Sequence, residues 1–533
     1  MESAAALTSI QRLRVPPRMG PRSPRSNGFD SWRQDDGYGS PARSEFRQPS
    51  PNPGGDPNNN FVQLHSSKSA VELSAHESVA PVAIVTILFF LWGFASGLLS
   101  VVLNNRINST IKSTDSALIG LHSAYYGGYF VGPVTFSGYI FRHYGFRITF
   151  IVGLVIYGVG CIVFWPCGVL QTYPGFIISN FISGLGVATI EVAANLFVAI
   201  CGPPHYWEAR LNLSQGAQAI GNVFAPILAE KVIFRKDEGT SNTEWLISVQ
   251  WGYLGVAFFD FALALFFWYV PLPECTDAEL TRVNRWRPAS SALTEKRRKK
   301  FLGRHSLLLL GVWAQFCYTG AQEIISINGA SLIQVFSPEY AHNANSFLWT
   351  AEGLLAFGRL AGGVGMFYVP ARMLYLLFSA GCIATSCILL GLQHSPGSDN
   401  SVAIVALRML LQFFESICFP TIFALSLRGL SGRNVKWGAS WEVLGVCGGA
   451  VWPPVYEAIR NRSRPDDQAG IRMAWVLVIV LFVAGPGIQA LFVNFIPSWR
   501  GRLDGLSKRE LREGYEADGT IGGRLDETND HVA

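Results

Sequence analysis

Twelve apolar stretches, each long enough to cross a bilayer, leave this chain very few folds to choose from. A hydrocarbon core takes about 20 apolar residues in helical form. Peptide groups at that depth find no water, so they must pair inside the segment, and helices follow. The stretches run over 79–103, 116–141, 147–168, 174–201, 210–234 and 246–270, then 305–335, 344–368, 371–393, 401–429, 436–458 and 472–496. Of 533 residues, 49% are apolar and 15% charged, which excludes an ordinary soluble domain. The expectation is an all-α integral membrane protein of twelve transmembrane helices.

The two sets of six cover similar lengths. Gly138 and Arg147 flank the turn after the second span, and Gly363 and Arg372 flank the turn after the eighth, 225 residues later in both cases. Two pseudo-symmetric six-helix bundles are therefore expected, 79–270 and 305–496, with a basic linker over 271–304. Residues 1–78, rich in Ser, Pro, Arg, Asn and Gly, read as a disordered tail, and 497–533 as a second tail. Arg142, Arg147, Arg372, Arg428, Arg433, Lys436, the linker run Lys296–Lys300 and the C-terminal arginines fall on one side. By the positive-inside rule that side, with both termini, is cytosolic. The basic run has nuclear-signal and lipid-patch readings too, but beside twelve spans it is a topology determinant, and no nucleic acid is implied. Sequons at Asn108 and Asn461 land on the opposite face, where glycosylation is expected. Most cysteines lie inside spans without metal or disulfide spacing and read as packing residues.

Polar residues inside spans are the candidates for function. In 184–222, Glu191 and Asn195 are four apart and share a helix face, while Asn212, Gln215, Gln218 and Asn222 form a stripe on the next helix. Such groups serve either as hydrogen-bonding glue between helices or as a solute site; the second reading is carried forward. Ser96, Ser100 and Asn104 on span one, His122, Tyr125, Tyr126 and Tyr129 on span two, and Gln315, Tyr318, Thr319, Gln322 and Glu323 on span seven converge with them. Trp349, Glu352, Glu415, Trp441 and Glu442 follow in later spans. Amides, hydroxyls and flat rings suit a sugar, whose hydroxyls need two-way partners and whose C–H faces stack on aromatics. Arg359 is read as the main basic exception inside the spans, tying helix ends together. No metal cluster, nucleophile motif or phosphate loop is present in the sequence, so neither an enzyme nor a cofactor is expected.

The blocks FFLWGFASGLLS (89–100), LHSAYYGGYF (121–130), IEVAANLFV (190–198), RLNLSQ (210–215), AQFCYTGAQE (314–323), PTIFALSLRGL (420–430) and KWGASWEVLGVCGG (436–449) resemble the fucose permease branch of the major facilitator superfamily. That branch comprises fucose, glucose and galactose–proton symporters. The similarity runs in order over residues 80 to 496; the tail, sequons and composition suggest a fungal member. The resemblance implies the twelve-helix major facilitator fold, a monomer, and substrate binding by Glu191, Asn195, Gln215, Gln218, Tyr318, Gln322 and Ser100. It also implies proton linkage at Glu191. Gln218 stands where the bacterial symporters carry asparagine, and Ser100 where they carry a coupling aspartate. Coupling then rests on Glu191, or on Glu323, Glu352 or Glu442; without it the protein is a facilitator. The expected function is monosaccharide transport at the plasma membrane by alternating access. A metabolite exporter and a non-transporting sugar sensor are the alternatives.

Overall fold

Hydropathy this high leaves helices as the only regular structure among the described residues. The computed structural model describes residues 68–110, 115–170, 172–228, 242–285, 301–394, 398–428, 430, 432–462, 467–500 and 503. The first half comprises α1 (Ala75–Thr110), α2 (Asp115–Gly132), α3 (Gly138–Leu170), α4 (Tyr173–Ile200), α5 (Trp207–Leu228) and α6 (Asn242–Tyr269). A short helix, α7 (Asp277–Arg285), follows within the expected linker. The second half comprises α8 (Phe301–Phe336), α9 (Ala344–Gly365), α10 (Ala371–Gln393), α11 (Ser398–Glu415), α12 (Cys418–Leu427), α13 (Arg433–Gly445), α14 (Gly448–Arg462), α15 (Asp467–Phe482) and α16 (Ile488–Phe495).

These form twelve helical columns among the described residues. The second column is α2, a π-turn over Pro133–Ser137 and the start of α3, which bends at Gly145 to begin the third. The tenth is α11 with α12, the eleventh α13 with α14, and the twelfth α15 with α16. Seven stretches are long and apolar enough to cross a membrane by length and composition. Of the columns that do not reach that threshold, α5, α9 and α13–α14 pack across the halves, and α8 meets the first half through the Tyr126–Glu323 hydrogen bond.

Packing repeats between the halves. In the first, α1 lies on α5, α2 on α4, and α3 on α4 and α6. In the second, α8 lies on α13 and α14, α9 on α11, and α10 on α11 and α15. The cross-half contacts are reciprocal too: the fifth column packs on the eighth and the eleventh on the second. A two-fold relation between six-helix units gives this pattern, the architecture of parallel-repeat transporters.

The first long helix begins earlier than hydropathy indicates. Instead of a tail reaching residue 78, a 3-10 turn over Ala70–Glu72 precedes α1, which starts at Ala75. Ser74 and Glu77 form a reciprocal cap, the Glu77 carboxylate accepting from the Ser74 backbone and the Ser74 hydroxyl from the Glu77 backbone. Ser69 donates to Glu279 at 2.8 Å, and Gly202 donates to the Ala70 carbonyl at 3.0 Å. The first described residues are thus fastened to the end that carries Arg142, Arg147, Arg372 and Lys436, hereafter the basic end. Residues 1–67, the run Lys296–Lys300 and most of the C-terminal tail lie outside the described residues.

At the bend into the third column, Gly145 takes φ 82° and ψ −168°, a conformation nearly restricted to glycine. Both Glu274 carboxylate oxygens then accept from the next backbone amides, Phe146 and Arg147, at 3.0 Å each. A Cβ at Gly145 would stand 2.5 Å from Glu274 Oε2. Gly145→Ala is expected to cost about 1–3 kcal/mol from backbone strain alone. Unfolding of detergent-purified protein measures this; an unchanged midpoint would refute the account of the bend.

Candidate functional site

Helix α4 is buried continuously from Gly186 to Ile200, so its polar residues must find partners among neighbours. The four-residue spacing of Glu191 and Asn195 brings them together: Asn195 Nδ2 donates to Glu191 Oε1 at 3.1 Å. From α5, Gln215 Nε2 donates to Asn195 Oδ1 at 3.0 Å. All three side chains are at most 1% exposed, yet Glu191 Oε2 and Gln215 Oε1 have no hydrogen-bond partner. Buried polar atoms are nearly always paired. Gln215 Oε1 is thus an acceptor without a protein donor, and beside the second Glu191 oxygen stands a tyrosine hydroxyl, that of Tyr129. Tyr125, Tyr126 and Tyr129 pack with ring centroids 5.2–5.8 Å apart beside Glu191.

Gln218 is set by a close approach of helices. Gly93 of α1 lies against the Gln218 carbonyl, with no room for a Cβ. The Gln218 side chain turns to the other half, where Oε1 accepts from Arg359 at 2.9 Å. Arg359 also donates to the Gln215 carbonyl at 3.1 Å and, through Nε, to the Ser416 carbonyl at 2.9 Å. It is buried and joins α5 to the gap between α11 and α12. The expectation that it ties helix ends is corrected: a guanidinium at this depth needs several acceptors, and the two halves supply them jointly. Asn212 adds a second link, donating to Thr421 at 3.2 Å.

The second half contributes a further polar set. Tyr126 donates across the interface to Glu323 at 2.6 Å, and Ser123 to the Ala450 carbonyl at 3.1 Å. Arg408 donates to Gln412 at 2.9 Å and to the Ile325 carbonyl at 3.0 Å, and Gln412 donates to Glu352 at 3.0 Å. Arg408 escaped the reading of the sequence, although a basic residue inside an apolar span is the same signal as Arg359. Tyr318 is fully buried, and its hydroxyl donates to the Glu415 carbonyl at 2.9 Å. Gln322 is half-buried beside Glu323. The side chains of Ser96, Ser100, Asn104 and Asn108 lie outside the described residues. Trp441, expected to face the interior, is 44% exposed. Glu442 is buried within the second half, beside Gly311 and Ser426, and does not join the chain at Glu191.

At the basic end the halves are latched. Arg428, at the end of α12, clasps the Glu208 carboxylate through Nε and Nη2, the latter at 2.7 Å, and donates to the Pro204 carbonyl at 3.2 Å. Lys436 pairs with Asp277 at 3.1 Å, and Arg142 lies 3.7 Å over the Trp437 ring. Burial first, then the Arg210 and Arg428 charges, hold the His205 imidazole below its usual range. A proton on His205 therefore opposes this closed arrangement.

Set beside known proteins, residues 85–435 match the model of the Major Facilitator Superfamily. The chain belongs to that superfamily. Two relatives within it are similar over most of their length. A glucose/galactose transporter of Brucella abortus is 27% identical over 406 residues, covering 75% of this chain and 90% of that one. The L-fucose-proton symporter of Escherichia coli is 27% identical over 462 residues, covering 80% and 98%. A crystal structure of the E. coli fucose:proton symporter superposes with a TM-score of 0.61 at 24% identity, covering 78% of this chain and 98% of that one. The superfamily's multi-pass fold is thus the fold of this chain, and its relatives are transporters, not enzymes.

The Glu208–Arg428 pair joins two side chains only 8% and 5% exposed. Removing either partner strands a buried charge, so Arg428→Ala or Glu208→Ala alone should destabilise by about 3–5 kcal/mol. The double variant should lose clearly less than the sum. A double-mutant cycle on unfolding in detergent measures this, and additive losses would contradict a direct pair.

Proposed function

We propose that this chain carries a monosaccharide across a membrane by alternating access, with protons as the driving ion. The observation that carries the reading is the buried Glu191–Asn195–Gln215 chain, in which Gln215 Oε1 has no protein donor and the Tyr129 hydroxyl stands beside Glu191. Sugar hydroxyls donate to such oxygens and accept from amides. The tyrosine trio beside Glu191 offers ring faces to the sugar's C–H surface. The relatives named as L-fucose-proton symporter and glucose/galactose transporter support a hexose-sized solute and a proton as partner.

In this reading Glu191, Asn195, Gln215 and Gln218 hold hydroxyls from the first half and Gln322 from the second, with Ser100 on the first column. Tyr318 presents its ring, since its hydroxyl is held by the α11 carbonyl. Glu191 binds the coupling proton: a carboxyl group that exchanges its proton between two aqueous sides can tie proton flow to the solute beside it. The cycle needs the Glu208–Arg428 latch to open when the site turns to the basic end. We place that end and both termini in the cytosol, the opposite end with Asn108 and Asn461 outside and glycosylated, and the protein in the plasma membrane as a monomer.

The test is uptake of a panel of labelled monosaccharides by proteoliposomes, with and without an inward proton gradient. One sugar should accumulate above equilibrium only with the gradient. Glu191→Gln should abolish that accumulation. Saturable uptake indifferent to the gradient would overturn the coupling, and no flux of any sugar from folded protein would overturn the substrate class.

A further inference from the structure

Charge counting around Arg359 singles out an acid that the reading above leaves unused. Four carboxyl groups, Glu191, Glu323, Glu352 and Glu415, share the centre of the molecule with two guanidinium groups, Arg359 and Arg408. With all six ionised and His122 neutral, negative charges exceed positive ones by two. Uncompensated charge at membrane depth is costly. The set therefore holds protons, or other monovalent cations, to come near balance.

The hydrogen bonds show where. Glu191 accepts from Asn195, Glu323 from Tyr126 and Glu352 from Gln412. Glu415 is fully buried, and neither carboxyl oxygen has a partner. It stands at a break in the tenth column: α11 ends at Glu415 and α12 begins at Cys418. The carbonyls of Glu415 and Ser416 accept from Tyr318 and Arg359, and the Ser416 hydroxyl is also buried without a partner. Broken helices of this kind supply ion sites at the membrane midplane.

The internal repeat brings forward the same stretch: at the 225-residue offset Glu191 falls on Ser416, next to Glu415. Glu415 follows Glu191 by 224 residues, against 225 for the pairs Gly138–Gly363 and Arg147–Arg372. Each glutamate sits on the fourth column of its half. The Arg359 charge reaches both carboxyl groups.

We infer that Glu415 is a second proton-carrying residue of the transport cycle, the second half's counterpart of Glu191, and that the two carboxyl groups share Arg359 as the halves rock. This rests on the sugar–proton reading above. The ionisable groups within electrostatic reach of Glu415 are Arg408 on its own helix, Glu352 and Arg359 on α9, Glu323 and Tyr318 on α8, and Cys382 on α10, with Cys418 three residues on at the start of α12. Only the two arginines among them are cations. With a proton on Glu415, Arg359 is left to Glu191 and the acceptors of α5, and the halves stay joined. When the O–H bond of Glu415 breaks and its proton leaves to the aqueous side then open, the carboxylate draws Arg359 away from α5. A cation is thereby tied to a side chain that bridges the halves.

Two measurements on the full chain test this. The first is infrared difference spectroscopy of purified protein across a pH titration, without sugar. A carbonyl band of a protonated carboxyl group should titrate in the wild type and be missing from Glu415→Gln. An unchanged band pattern in the variant would overturn the inference whatever the substrate is. The second compares gradient-driven accumulation with sugar counterflow in proteoliposomes. Glu415→Gln should lose accumulation while counterflow persists at a slower rate, and Glu415→Asp should restore part of the accumulation. Accumulation equal to the wild type, or one driven by a sodium gradient and indifferent to protons, would overturn it. Absence of counterflow in the wild type itself would instead overturn the sugar reading, leaving the infrared result to decide the role of Glu415.

Discussion

The structure depends on one guanidinium. A cationic side chain at the centre of a membrane protein costs several kcal/mol unless it is fully bonded, and no single helix of this chain can satisfy Arg359. The acceptors come from both halves: two on α5 and one at the break in the tenth column. That requirement fixes the register of α5 against α9 and keeps the tenth column broken where Ser416 offers its carbonyl. It also orients Gln218, which Gly93 holds close to α1. The site at Glu191 inherits its geometry from this arrangement, since Gln215 is bonded to Arg359 by its backbone and to Asn195 by its side chain.

Two further sets of bonds divide the interface by depth. Near the basic end, Glu208 with Arg428 closes the gap between the halves, and Lys436 with Asp277 ties the second half to the linker helix α7. Deeper in, Tyr126 with Glu323 and Ser123 with Ala450 join the second column to the eighth helix and to α14. A buried ion pair stabilises little in net terms but is expensive to half-break. It therefore behaves as a two-position latch and not as glue.

Much of this was legible in the sequence wherever the information is local. Helical periodicity alone placed Glu191 and Asn195 on one face, and their side chains do bond. The stripe on the next helix delivered Gln215 and Gln218, and the 225-residue echo announced the two halves. What periodicity lacks is the register between helices distant in the chain. Arg359 and Arg408 are visible in the sequence as charges inside apolar spans, but their partners lie up to 144 residues away. Averaged hydropathy runs straight through the breaks at Ser416–Ile417 and Val446–Cys447, because the residues around them are as apolar as their neighbours. The early start of α1 is the opposite case: Ser74 and Glu77 spell a capping box, hidden only by the polar stretch in which it sits.

The central claim is that solute binds between the halves at the Glu191–Asn195–Gln215 chain. The most direct test is a structure of the full protein saturated with a monosaccharide that it transports. The account predicts density for the sugar within hydrogen-bond distance of Glu191 and Gln215, flanked by the tyrosines of α2. Sugar density elsewhere, with the Glu191 and Gln215 oxygens untouched, would contradict it.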